Sequence, residues 1–172
     1  MQTIYLDYAA TTFIKDEVLD KMMPYLKEEY GNASAVYKSG RRAKEAVEKA
    51  RQCIAQTLGA GKKDSVIFTS GGTESNNWAL FGAVRHLGVR YIVTTSVEHH
   101  SVLEACAALE GEGCAVTYLP VDGNGQVSAA QVADAVDEGV PTLVSVMYAN
   151  NEVGVINPIA DIARAAKGRN AF

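Results

Sequence analysis

The stretch Ser70–Asn77, with the sequence SGGTESNN, combines two glycines with hydroxyl and amide side chains. It follows the apolar run Val66–Thr69 and precedes a helical pattern that carries Trp78 and Leu87. A strand that turns through glycine into a helix directs several backbone N–H groups at one spot, and the helix dipole favours an anion there. The stretch therefore suits a phosphate or a carboxylate. It suits a well-capped turn without a ligand about equally well, because capping and anion binding use the same residue types.

Two further polar segments, Val97–His100 and Asn150–Glu152, supply an imidazole and an amide. Taken singly, His99 is better explained as a helix-start histidine satisfied by the local backbone, and Asn151 as an amide that caps a loop. Together with the glycine turn, however, they match a phosphate-bearing aromatic cofactor. The turn would hold the phosphate, the imidazole would stack on the ring, and the amide would donate to a ring oxygen.

Other classes of site lack their sequence signatures. No GxGxxG or GxxxxGK[ST] loop occurs, which disfavours a dinucleotide or Walker-type nucleotide site. A GxSxG nucleophile elbow is also missing. His99 and His100 are adjacent, so their side chains diverge, and we predict no metal site.

The composition limits the classes of partner. The 172 residues include 16 basic and 20 acidic ones, a net charge of −4, which leaves no basic footprint for nucleic acid or an anionic membrane surface. No apolar run approaches the ~20 residues of a membrane helix, and residues 1–7 lack the regions of a signal peptide. The three cysteines, Cys53, Cys106 and Cys114, have no CxxC spacing and suit a reducing compartment. We predict a cytoplasmic protein.

The elements that must position these residues follow from periodicity. Two helices are predicted first, one from Asp16 with a kink or break near Met23 because of Pro24, and one over about 39–58. Four strands are then predicted, at 66–69, 91–95, 115–119 and 142–147. Four helices alternate with them: 73–87, one capped by Ser101 with Glu104, one capped by Ser128 with Gln131, and one with Asn157 as N-cap and Pro158 at N1.

This alternation predicts an α/β fold with a mainly parallel sheet and helices on both faces. In such sheets ligands bind beyond the carboxyl ends of the strands. The three polar segments follow the first, second and fourth predicted strands, so they would meet at one edge. That convergence is the functional signal.

Four motifs resemble the cysteine desulfurases, pyridoxal phosphate (PLP) enzymes of the class V aminotransferase group. They are Tyr5–Thr12 (YLDYAATT), Phe68–Asn77 (FTSGGTESNN), Glu98-His99 and Asn150–Gly154 (NNEVG), in the family's order. The resemblance implies the large domain of a type I-like PLP-dependent transferase, incomplete at its C-terminus. Residues 1–60 would form an N-terminal extended segment with the first helices, and residues 61–172 the first part of the cofactor-binding domain.

The resemblance also implies roles for individual residues. Thr73 and the Gly72 backbone would bind the cofactor phosphate, and Asn151 would donate to the phenolic oxygen of the ring. His99 would stack on the ring and help to move protons. The family reaction converts L-cysteine to alanine and leaves a persulfide on an enzyme cysteine, from which sulfur passes to an acceptor such as an iron–sulfur scaffold protein. A homodimer is expected on the same ground.

The family's Schiff-base lysine and persulfide cysteine are expected beyond Phe172, so the chain is expected to be the N-terminal half of the enzyme and inactive alone. Ala33 and Tyr37 stand where the family usually has proline and histidine, which puts fine specificity in doubt. Two alternatives stay open. The substrate could differ, as in a selenocysteine lyase or another class V enzyme, or the chain could be a non-catalytic module that binds PLP or phosphate.

Overall fold

The structure, a computed structural model, describes residues 4–61 and 66–172. The prediction about signal-peptide features falls partly on residues 1–3, which lie outside the described residues. The chain divides into two compact units, the first ending at Phe68 and the second spanning Thr69–Phe172. The predicted domain boundary after residue 60 stays a prediction.

In the first unit the described residues form two helices, α1 (Asp16–Lys27) and α2 (Lys38–Thr57). Helix α1 continues through Pro24 to Lys27, so the break predicted near Met23 is wrong. Pro24 stands in the last turn of the helix, where it removes only the one hydrogen bond that its own N–H would have donated. No residue of α1 is buried, and its apolar side chains are exposed except for the half-buried Met23. In the described ranges no helix combines the length and apolar character needed to cross a membrane.

The loop between α1 and α2 approaches the start of α2 closely. A Cβ added to Gly40 would lie 2.4 Å from the carbonyl oxygen of Ala35 and 2.6 Å from that of Asn32. A Cβ added to Gly31 would lie 2.5 Å from the Ser39 carbonyl oxygen. Both positions therefore need glycine, and Gly40 is buried.

The second unit is built on a sheet of three parallel strands in the order β2-β1-β3. The strands are β1 (Tyr91–Thr95), β2 (Ala115–Leu119) and β3 (Thr142–Ser145). The helices of this unit are α3 (Gly72–His86), α4 (His100–Gly111), α5 (Ala129–Ala135) and α6 (Ile159–Gly168). The predicted parallel α/β architecture is confirmed.

Successive residues of β1 point to two separate cores. Ile92 packs with α3 and α4 on one face, against residues such as Leu80 and Leu109. Val93 packs with α5 and α6 on the other face, against residues such as Val132 and Ile162. The predicted arrangement of helices on both faces is therefore present, and a β-branched strand suits it because both of its faces are buried.

Two local predictions are wrong. Residues 66–69 do not form a strand, and the Val66 carbonyl accepts a hydrogen bond from the Arg51 side chain instead of from a neighbouring strand. Asn157 is not the N-cap of α6. Pro158 is the N-cap, and the helix begins at Ile159. The Asn157 amide instead donates to the Met147 carbonyl and accepts from the Val127 N–H, so it joins the segment after β3 to the loop before α5.

Candidate functional site

The N-terminus of α3 presents free backbone donors beside an open space. Gly71 is extended, and the first helical hydrogen bond runs from the Ser75 N–H to the Gly71 carbonyl, at 3.1 Å. The N–H groups of Gly72, Thr73 and Glu74 therefore precede the helical ladder. A Cβ added at Gly71 or at Gly72 would meet no atom within 4 Å. This part of the turn can accommodate an anion at the positive end of the helix.

The carboxylate of Glu74 occupies the donors just before the helix. It accepts hydrogen bonds from the N–H and the hydroxyl of Ser70, both at 2.6 Å. These bonds lower the pKa of Glu74. Ser70 is therefore not available to an anion, and the backbone donors left for one are the N–H groups of Gly72, Thr73 and Glu74.

His99 is the N-cap of α4. Its Nδ1 accepts a hydrogen bond from the Ser101 N–H at 3.0 Å, so the expectation that Ser101 caps this helix is wrong. The Ser101 hydroxyl lies 2.8 Å from the same Nδ1, and it accepts a hydrogen bond from the Asn76 amide at 2.7 Å. The imidazole is exposed, while Asn76 and Ser101 are half-buried. The ring is thus fixed through one nitrogen and accessible through the rest.

One groove of about 390 Å³ brings Thr73 and His99 together. It runs along α3 and α4 from their N-terminal ends as far as Phe81 and Ala108. Its lining residues are Thr73, Asn77, Phe81, His99, His100, Ser101, Glu104, Ala105 and Ala108. The side chains of Thr73 and His99 therefore share one opening, although residues 66–69 do not form the strand on which this convergence was predicted.

Asn151 does not line this groove. It is exposed, and its amide donates to the Glu152 carboxylate at 3.1 Å. The loop that carries it is nevertheless bonded to the segment that carries His99, because the buried Asn150 donates to the Val97 carbonyl at 2.8 Å. The side-chain amide oxygen (Oδ1) of Asn150 also accepts from the N–H groups of Glu152 and Val153, which fixes the turn around Asn151.

The comparisons with known proteins bear on the same residues. A family model described as aminotransferase class-V matches residues 4–172. The chain belongs to the aminotransferase class-V family. The enzymes of this family are PLP-dependent.

Relatives of the chain include cysteine desulfurases. The chain is 46% identical over 174 residues to cysteine desulfurase IscS of Methanosarcina thermophila, covering 99% of this chain and 42% of that protein. It is 45% identical over 172 residues to the mitochondrial cysteine desulfurase of Drosophila melanogaster, covering 98% and 37%. The chain therefore spans well under half the length of these relatives.

Solved class-V structures give the same result for the fold. A NifS-like protein superposes with a TM-score of 0.91 at 40% identity, covering 98% of this chain and 46% of that one. SspA in complex with cysteine also superposes with a TM-score of 0.91, at 38% identity, covering 98% and 49%. The type I-like α/β fold implied by the motifs is confirmed.

The sequence reasoning gave several residues around this candidate site no role in it. Asn76 and Ser101 hold the imidazole, and Glu98 and Asn150 join the His99 segment to the Asn151 loop. Glu98 and Asn150 stand directly before the two predicted site residues, which was the one available signal. Asn76 and Ser101 are 25 positions apart, and nothing in their local patterns indicates contact.

Proposed function

We propose that this chain carries the phosphate- and ring-binding part of a PLP-dependent cysteine desulfurase, corresponding to its N-terminal half. In this proposal the chain is inactive without the remainder. The whole enzyme would convert L-cysteine to alanine and an enzyme persulfide. The strongest support comes from the similarity to cysteine desulfurases over almost the whole chain, at 45–46% identity.

The groove shared by Thr73 and His99 is the observation that carries the proposal. A cofactor phosphate suits the space in front of Gly71 and Gly72, where a Cβ would meet nothing within 4 Å. Free N–H groups and a helix dipole are the groups that bind phosphate in many proteins. The residues present therefore fit the phosphate of PLP.

In the proposed arrangement each side chain has one task. The N–H groups of Gly72 and Thr73 and the Thr73 hydroxyl donate to the phosphate. The His99 ring lies against the cofactor ring, and Asn151 donates to the phenolic oxygen through its amide. PLP, when bound, supplies an electron sink for the bonds around the substrate's α-carbon.

Binding of PLP to the chain tests the phosphate seat directly. We expect PLP to bind more tightly than pyridoxal, which lacks the phosphate, in equilibrium dialysis. Thr73→Val removes one donor to a charged acceptor and is expected to weaken PLP binding by about tenfold or more. Thr57→Val is the matched control, because the Thr57 hydroxyl donates within α2 to the Cys53 carbonyl. Equal affinities for PLP and pyridoxal would contradict the proposed phosphate seat.

The reaction is tested on the whole enzyme, by measuring alanine formed from L-cysteine. Turnover of L-selenocysteine or another amino acid far above that of L-cysteine would contradict the substrate assignment. A homodimer, an iron–sulfur scaffold or other sulfur-acceptor protein and a cytoplasmic location belong to the same proposal. Sedimentation analysis, transfer of labelled persulfide sulfur and cell fractionation test these three points in turn.

A further inference from the structure

We infer that Asn76 and Ser101 are positioning residues that hold the neutral His99 ring in the tautomer with hydrogen on Nε2. The inference rests on the proposed function only in assuming that the His99 ring contacts a bound cofactor. The tautomer itself follows from the hydrogen bonds around Nδ1.

The first step concerns the cap of α4. A backbone N–H can only donate, so the 3.0 Å bond from the Ser101 N–H requires a lone pair on His99 Nδ1. In a neutral imidazole one ring nitrogen accepts and the other carries hydrogen. The single hydrogen of the neutral ring therefore lies on Nε2.

The second step concerns the direction of the side-chain bonds. The Asn76 Nδ2 also can only donate, and it lies 2.7 Å from the Ser101 hydroxyl oxygen. That oxygen accepts from Asn76, and its own hydrogen points to His99 Nδ1, 2.8 Å away. The relay therefore runs in one direction, from α3 through Ser101 to the imidazole.

The third step is the consequence for the groove. The lone pair of the neutral ring is occupied by Ser101, so the ring offers the groove an N–H donor at Nε2. A ligand that contacts His99 in the groove therefore encounters the hydrogen-bond donor at Nε2. For the ring to act as a base at Nε2, the hydrogen would have to move to Nδ1, and the cap of α4 would be lost.

Nitrogen-15 NMR of the histidine rings tests this assignment without any cofactor or substrate. Protonated and unprotonated ring nitrogens have well-separated shifts, and the full chain has three histidines, of which His86 and His100 serve as internal references. The spectra are recorded at about pH 8.5, two units above the ordinary histidine pKa. We expect His99 to show hydrogen on Nε2, and His99→Gln assigns its signals.

Two substitutions test the relay. Ser101→Ala removes one of the two donors to Nδ1 and is expected to shift the tautomer ratio about fivefold toward Nδ1–H, the equivalent of one ordinary hydrogen bond. Ser101→Thr keeps the hydroxyl and should restore the ratio. Asn76→Asp is nearly isosteric but accepts from Ser101, which reverses the relay and should raise the Nδ1–H population further.

Asn170→Asp is the matched control, since it adds the same charge at an exposed residue that does not line the groove. It should leave the tautomer unchanged, and circular dichroism shows whether each variant is folded. A wild-type ring with hydrogen on Nδ1 would overturn the inference. So would a ratio that Ser101→Ala and Asn76→Asp both leave unchanged in folded protein. Because the readout needs no cofactor, a failure here is distinct from a failure of PLP to bind.

Discussion

The carboxylate of Glu98 accepts a hydrogen bond from the backbone N–H of Met147, at 2.8 Å, and thereby joins the ends of β1 and β3. The same carboxylate oxygen accepts from the Thr95 hydroxyl at 2.9 Å. Glu98 is 7% exposed. It lies directly before His99, so a buried carboxyl group fixes the backbone on which the exposed imidazole stands.

Glu98→Gln is expected to change how stability depends on pH. Burial raises the pKa of Glu98 above its ordinary value of 4.5, so the folded chain holds this proton more tightly than the unfolded chain does. The contribution of Glu98 to the free energy of unfolding is therefore full below pH 4.5 and declines as the pH rises through the folded-state pKa. Glutamine keeps an acceptor oxygen for both bonds and cannot ionise. Urea unfolding across this pH range should show a flatter dependence for the variant, and parallel curves would refute the expectation.

Asn150→Ala and Asn151→Ala are expected to separate structure from binding. Asn150 is buried and uses both ends of its amide, so its loss should lower the free energy of unfolding by about 1–3 kcal/mol. Asn151 is exposed, and its replacement should change stability by less than about 0.5 kcal/mol. Under the proposed function only Asn151→Ala combines native stability with weaker PLP binding. Urea unfolding and dialysis measure the two effects, and strong destabilisation by Asn151→Ala would count against the described loop.

The three cysteines are expected to differ sharply in reactivity. Burial raises the pKa of Cys106 to about 11 and also raises that of Cys114, whereas Cys53 is exposed on α2. The thiolate is the reactive form, so only Cys53 should react rapidly with iodoacetamide at neutral pH. Mass spectrometry of the labelled peptides identifies the site, and the denatured chain, in which all three should react, is the control. Rapid labelling of Cys106 in the folded chain would contradict this burial.

Gly40→Ala is expected to destabilise the first unit strongly. The added Cβ would lie 2.4 Å and 2.6 Å from two backbone carbonyl oxygens, which cannot move without displacing the loop before α2. We expect a loss of more than about 2 kcal/mol in thermal or urea unfolding. Gly82→Ala is the control, since Gly82 lies within α3 and its Cβ would meet nothing within 4 Å. Gly82→Ala should leave the stability of α3 unchanged or raise it by up to about 1 kcal/mol. A Gly40→Ala variant as stable as the original chain would refute the described loop packing.

The sequence predicted the elements whose signals are local. The β-branched run 91–95 is a strand buried on both faces, and the capping box of Ser128 with Gln131 has both of its hydrogen bonds. Predictions failed where a distant group decides the outcome. Residues 66–69 have a strand-like composition, but the Val66 carbonyl is bonded by Arg51. A short apolar run cannot reveal whether a neighbouring strand will be available to it.

The candidate site shows the same division. The sequence indicated Gly72, Thr73, His99 and Asn151 as a set, and two of these, Thr73 and His99, share a groove. The Ser101–Glu104 pattern indicated the wrong cap for α4, because a capping box is defined by spacing alone. The N-cap of α4 is His99, and its position is supported by Asn76 of α3, whose amide donates to the Ser101 hydroxyl. Contacts of this kind depend on how helices pack, and no periodic pattern in the sequence indicates them.

The cap that His99 provides ties the imidazole to the interior of the protein. Helix α4 sits on the core through Val102, Cys106 and Leu109, and the N–H of Ser101 in its first turn holds the ring. The location of the imidazole is therefore set by the hydrophobic packing of the helix that it caps, from Val102 to Leu109. Any rearrangement of that packing, whether by mutation or by a neighbouring molecule, reaches the groove as a movement of the ring.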